Sequence, residues 1–145
     1  MSAPSRPRAS GIGRVLVAVY AILAIAALGR SIFQIVDRFE EAPIAFSLSA
    51  VAAVVYVLAT VALAAGWDRL AWITISFELA GVLLVGALSV FAPQLLGLDS
   101  ANPFGREATV WSAFGAGYLF VPLALPVLGI LWLRARGRAR SAVEA

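Results

Sequence analysis

The chain has no cysteine and no histidine among its 145 residues. It therefore has no means of building a disulfide, a thiol redox pair, a thiolate nucleophile, a bis-histidine haem or a histidine-ligated metal site. A Ser–His pair is excluded on the same ground, and no enzymatic activity, cofactor or metal is expected. Lysine is also missing, so all eleven basic residues are arginine. Charge of either sign is scarce at 13% of residues, and 62% are hydrophobic. A soluble domain averages about 25% charged residues. The net charge of +3 comes from arginines near the two ends and does not point to nucleic acid.

What the chain has instead is apolar runs of bilayer length, about 20 residues each. They predict an all-α polytopic membrane protein, with four transmembrane helices in an antiparallel bundle over residues 14–36, 43–65, 71–91 and 109–133. Residues 1–13, rich in Ser, Pro and Arg, read as a disordered cytoplasmic tail, and residues 134–145 as a basic cytoplasmic tail. Arg6, Arg8 and Arg14 followed by an apolar stretch resemble the start of a secretory signal. The apolar pattern continues past Arg30 through Ile32, Phe33, Ile35 and Val36, so an uncleaved first span is expected. With both tails inside, Arg6, Arg8, Arg14, Arg69, Arg134, Arg136, Arg138 and Arg140 face the cytoplasm, against Arg38 and Arg106 outside. That bias predicts a multi-pass protein with both termini in the cytoplasm.

The third span carries a carboxylate, Glu78. An ionisable side chain at that depth costs from about 2.5 kcal/mol upward, so by default it faces a bundle interior and is a functional candidate. Ala71, Thr74, Gly81, Gly86 and Ser89 form a small and polar stripe with it, while Trp72, Ile73, Phe77, Leu79, Leu83, Leu84 and Leu88 lie opposite and read as lipid-facing. Small faces pack against other helices in lipid. Glu78 is thus the proton-exchange or buried polar candidate, with Arg30, Tyr20, Tyr56 and Thr74 as candidate partners.

Other polar features lie along the chain. Arg30, Gln34 and Asp37 share a helical face, and counting about 1.5 Å per residue from Arg14 puts Arg30 roughly 24 Å along the first span. It serves either as an interfacial arginine paired with Asp37 or Glu41, or as an inward partner of a buried carboxylate or anionic ligand. The loop over 92–108, with Pro93, Gly97, Asn102 and Pro103, reads as a lid or an interfacial segment. Trp111 reads as an interface anchor of the fourth span, and Pro122 and Pro126 as interruptions inside it that free the carbonyls of Tyr118 and Pro122. The arginines after residue 133 read as a topology signal, or as contacts to anionic headgroups.

The strings Arg30-Ser31-Ile32-Phe33-Gln34, Phe46-Ser47-Leu48-Ser49-Ala50, Ser76-Phe77-Glu78-Leu79-Ala80-Gly81-Val82, Thr109-Val110-Trp111-Ser112 and Gly117-Tyr118-Leu119-Phe120-Val121-Pro122 resemble those of a group of uncharacterised small four-span integral membrane proteins of actinobacteria. The resemblance covers roughly residues 13–133. It implies a bacterial plasma membrane and a four-helix architecture, and it carries over no site residues.

These features predict a structural or accessory membrane component whose partners are the lipid bilayer and either further copies of the chain or a larger membrane complex. The alternative is a small proton-coupled transporter, acting as a homo-oligomer through Glu78, with Tyr20, Tyr56, Thr74 and Tyr118 lining its path. A lipid-modifying enzyme using Arg30, Gln34 and Asp37 is a weaker third option, because one arginine and one carboxylate make an incomplete catalytic set.

Overall fold

The structure, a computed structural model, describes residues 11–97 and 108–144. The tail expected over 1–13 therefore lies outside the described residues up to residue 10, as does the larger part of the 92–108 loop. Among the described residues four α-helices carry the fold: α1 (Gly11–Arg38), α2 (Pro43–Ala65), α3 (Asp68–Phe91) and α4 (Val121–Glu144). Three of them, α1 to α3, are long and apolar enough to cross a membrane, and a fourth crossing exists if Ser112–Tyr118 and α4 count together as one broken span.

Each helix begins or ends where local chemistry dictates. A short 3-10 turn at Phe39–Glu41 separates α1 from α2, and Pro43 opens α2, where its missing N–H removes no helical bond. Gly66 ends α2 in the left-handed conformation at φ +75, closing the helix with its N–H on the Ala62 carbonyl. This lets α3 start two residues later, because glycine adopts that conformation without a Cβ clash. After α3, Pro93–Leu96 forms another 3-10 turn that ends at Gly97, again left-handed.

Packing follows the helical stripes. On α1 the buried positions are Gly13, Leu16, Tyr20, Leu23, Ala24, Ala27, Ser31 and Gln34, spaced by three or four for the most part. On α3 they are Ala71, Thr74, Ile75, Glu78, Val82, Val85, Gly86 and Ser89, so the small and polar stripe does face inward. Ile73, Phe77, Leu83 and Leu84 lie exposed on the outside. A ring of exposed apolar side chains around a buried small-residue core suits a chain whose solvent is lipid. Helix α1 packs along α2, α2 on α3, and α3 on both α4 and the 112–118 segment.

The stretch expected as a continuous fourth span over 109–133 is not one helix. Residues 112–118 form an irregular 3-10 segment, with Ala113, Phe114 and Gly115 at positive φ, and the chain bends by 98° before α4. Gly115, at φ +84, lies so close to the Pro122 ring that a Cβ there would come within 2.8 Å of Pro122 Cδ. Pro122 accordingly sits at the start of α4 and interrupts nothing; only Pro126 lies inside the helix. The apolar part of α4, residues 121–133, is roughly 20 Å long at ~1.5 Å per residue. That is short of a hydrocarbon core of about 30 Å. The helix runs on through Arg134, Arg136 and Arg138, so the basic stretch expected as a tail is a helical extension.

Candidate functional site

Glu78 stands at the centre of the inward stripe of α3 and is wholly buried, at 0% exposure. Tyr20 of α1 donates its hydroxyl to Glu78 Oε2 at 2.7 Å. The Tyr20 ring leans against Tyr56 of α2, with centroids 6.2 Å apart and planes at 47°. Tyr56 in turn meets Trp111 at 6.5 Å and 59°, and its hydroxyl accepts a hydrogen bond from Trp111 Nε1 at 3.0 Å. Both pairs avoid the face-to-face sandwich that aromatic quadrupoles disfavour. Three helices and the connecting segment thus converge on one carboxyl group.

The walls of this cluster are set by missing side chains. A Cβ on Gly81, one turn beyond Glu78, would lie 2.7 Å from Trp111 Cη2 and Cζ3, so the indole rests directly on the α3 backbone. On α4, a Cβ at Gly129 would come within 3.1 Å of Ile75 and 3.5 Å of the Tyr20 hydroxyl. Helix α4 therefore closes the remaining side. Glu78 Oε1 has no hydrogen-bond partner among the described residues. Among the described residues one surface groove runs along Trp67 to Ile73 and another along Arg30, Phe33, Gln34 and Arg38, and Glu78 lines neither.

Buried backbone outside a regular helix must find its hydrogen bonds within the protein. Residues 108–113 meet this demand with side chains. Gln34 Nε2 donates to the Ala108 carbonyl at 3.1 Å, and Ser112 Oγ accepts from the Thr109 N–H at 2.8 Å. Thr109 Oγ1 accepts from the Trp111 N–H at 3.1 Å, and Ser89 Oγ on α3 accepts from the Ala113 N–H at 2.7 Å. The Ser89 bond holds a left-handed alanine in place. Non-glycine residues visit that region at a cost of about 1–2 kcal/mol, so such conformations persist only when neighbours over-determine them.

Of the residues singled out from the sequence, Tyr20 and Tyr56 join Glu78. Thr74 is buried on the same stripe, but its hydroxyl donates to the carbonyls of Leu70 and Ala71 on its own helix. Arg30 lies elsewhere: its Nη1 donates to the Tyr118 hydroxyl at 3.4 Å, and Glu78 is held by Tyr20 instead. Asp37 is exposed. Trp111 corrects the reading as an interface anchor, for it is 1% exposed and belongs to the core. Its signal in the sequence was indirect. Gly81 and Gly86 leave a gap on α3 that something large must fill, and Trp111 and Phe114 fill it. Ser89 and Gln34 serve backbone groups of a segment whose irregularity apolar composition does not reveal.

As a chemical device the cluster offers one carboxyl group, two phenols and an indole donor. Its aromatic packing leaves each of Tyr20, Tyr56, Glu78 and Trp111 at 1% exposure or less. Comparison of the chain with protein-family profiles, with curated proteins and with solved structures finds no match.

Proposed function

We propose that this chain is a structural or accessory component of a bacterial plasma membrane, not an enzyme, and that it works by presenting a fixed helical shape to larger partners or to further copies of itself. The observation that carries the reading is the enclosure of Glu78. A carboxyl group with 0% exposure, tied across helices by Tyr20 and walled by Tyr56 and Trp111, suits an internal fastening better than a site of turnover. In lipid, where apolar burial gives helices little reason to associate, such a polar tie and close glycine contacts supply the specificity of assembly.

The test separates shape from chemistry. Glu78→Gln keeps an acceptor for Tyr20 and should leave folding and partner recovery in mild detergent intact, whereas Gly81→Leu should abolish both. Loss of a stoichiometric partner or oligomer in the Glu78→Gln variant alone would contradict the proposal.

One observation favours the transporter reading. Glu78 Oε1 has no partner among the described residues, so half of the carboxyl group remains available for a proton or ligand. In that reading Glu78→Gln abolishes substrate-driven proton movement into vesicles while the fold survives, and unchanged flux removes it.

A further inference from the structure

The inward stripe of α4 continues past its apolar residues. Pro122, Pro126, Gly129 and Leu133 are buried at helical spacing, and Arg136 is the next step of the same series. Arg136 is half-buried, whereas residues 134, 135, 137–139 and 141–143 around it are exposed. We propose that α4 is a strap over the Glu78 cluster, hinged at Leu119 and Phe120 and fastened at its far end by Arg136. Such a strap presupposes the enclosure of Glu78 and supplies the part of the fold that can undo it.

Two contacts fasten the far end to the turn between α2 and α3. Arg136 Nη1 meets Asp68 Oδ1 at 3.7 Å, with the two side chains 20% and 24% exposed. Gly66 lies against the same guanidinium, since a Cβ built there would be 3.4 Å from Arg136 Nη2. The Trp132 ring backs it from α4 itself, 5.3 Å from centroid to Cζ. A guanidinium stacked on an indole face is held in direction as well as in depth. The apolar part of α4 is too short to cross a hydrocarbon core by itself, so its place depends on what it packs against. Midway along it, Gly129 lies on Ile75 and beside the Tyr20 hydroxyl that holds Glu78. Lifting α4 away therefore bares the Tyr20–Glu78 pair.

The near end has the features of a hinge. Leu119 and Phe120 stand at φ 58 and φ 59, two consecutive non-glycine residues in the left-handed region, where the chain bends by 98° into α4. Strained backbone of this kind persists only while its surroundings over-determine it. Both side chains are exposed, Leu119 at 88% and Phe120 at 52%, so they break little packing when φ and ψ change. Hinges are a few such positions at element ends that absorb the dihedral change. With one end able to turn and the other held by an ion pair, the place of α4 is decided at Arg136.

The chain has no cysteine, so Ile22→Cys, Leu131→Cys, at exposed positions of α1 and α4, can carry two spin labels without touching the core. Double electron–electron resonance on the full chain in uncharged detergent should be dominated by one distance. Adding Arg136→Gln should raise the population of a second distance about tenfold, since the ion pair and the stack on Trp132 are both lost. In native membranes, Arg136→Gln should also make Glu78 reactive towards a hydrophobic carbodiimide. Arg134→Gln, at an exposed position of the same helix, should match the parent in both readouts. Asp68→Asn keeps the guanidinium on Trp132 and replaces Arg136→Gln if that variant folds poorly; it should raise the second population about threefold. Unchanged distances in Arg136→Gln and Asp68→Asn would overturn the strap, as would a displaced α4 that leaves Glu78 unreactive, or an equal change in Arg134→Gln. Reactivity of Glu78 in the parent chain would overturn the enclosure itself, a failure that the distances tell apart from loss of the fastening.

Discussion

Replacing Gly81 by alanine adds one methyl group where the Trp111 ring already lies. The new Cβ would be 2.7 Å from Cη2 and Cζ3 and 3.1 Å from Cε3, whereas carbon atoms settle at about 3.5–4.0 Å. The indole must therefore retreat by close to an ångström. Tyr56 stands on its other side with a 3.0 Å hydrogen bond from Nε1, so the retreat strains or breaks that bond. Overpacking a filled core costs about 1–3 kcal/mol, and a lost hydrogen bond adds about 0.5–1.5 kcal/mol. Alanine returns up to about 1 kcal/mol through helix propensity. The net expectation is a loss of about 1–3 kcal/mol, read as an earlier unfolding midpoint when a denaturing detergent is titrated into mixed micelles and helicity is followed by circular dichroism. Gly29 supplies the control, because nothing lies within 4 Å of a Cβ built there and Gly29→Ala should be neutral or mildly stabilising. Adding Trp111→Phe shrinks the ring, so Gly81→Ala should cost much less in that background than in the parent. Equal midpoints for the Gly81 and Gly29 variants, or simple additivity with Trp111→Phe, would refute the reasoning.

Tyr20→Phe removes the donor held at 2.7 Å by Glu78 Oε2 and should destabilise by about 1–3 kcal/mol, measured by the same detergent titration. Combined with Glu78→Leu, part of that loss should return, since both buried polar partners are then gone. Ser89→Ala leaves the Ala113 N–H without its acceptor and should cost a similar ~1–3 kcal/mol, with faster amide exchange at Ala113 by mass spectrometry. Glu41→Gln, at an exposed 3.7 Å pair with Arg38, should shift the midpoint by less than about 1 kcal/mol, and by less still in high salt.

Hydropathy and small-residue periodicity suffice to read α1 to α3, because a helix facing lipid on one side and neighbours on the other records both in its sequence. The inward stripe of α3 and the place of Glu78 on it follow from spacings of three and four. Tyr20 and Tyr56 are legible as polar residues on apolar helices, which in lipid need partners. The fourth stretch is different. Its run from 108 to 133 carries no charge and is apolar apart from Thr109, Ser112, Tyr118 and its glycines and prolines, and hydropathy does not distinguish a helix from an irregular segment buried by its neighbours. Gly115 and Pro122 mark the interruption, but proline at a helix start and proline inside a helix look alike until the preceding turn is known. Trp111 misleads for a related reason: indoles favour the membrane interface, yet here the void left by Gly81 draws the ring inward. The separation of Arg30 from Glu78 is likewise a matter of tertiary packing, since Tyr118 arrives from 88 residues away to hold the guanidinium.

The measurement that tests the enclosure of Glu78 most directly is labelling by a hydrophobic carbodiimide in native membranes across pH, located by mass spectrometry. Trp111→Ala, which opens the wall over Gly81, serves as the positive control. A carboxyl group sealed by Tyr20, Tyr56 and Trp111 predicts no modification of Glu78 in the parent chain at any pH, and modification at acidic pH in the Trp111→Ala variant. Ready modification of Glu78 in the parent chain would contradict a closed fastening and favour an accessible, proton-exchanging carboxyl group.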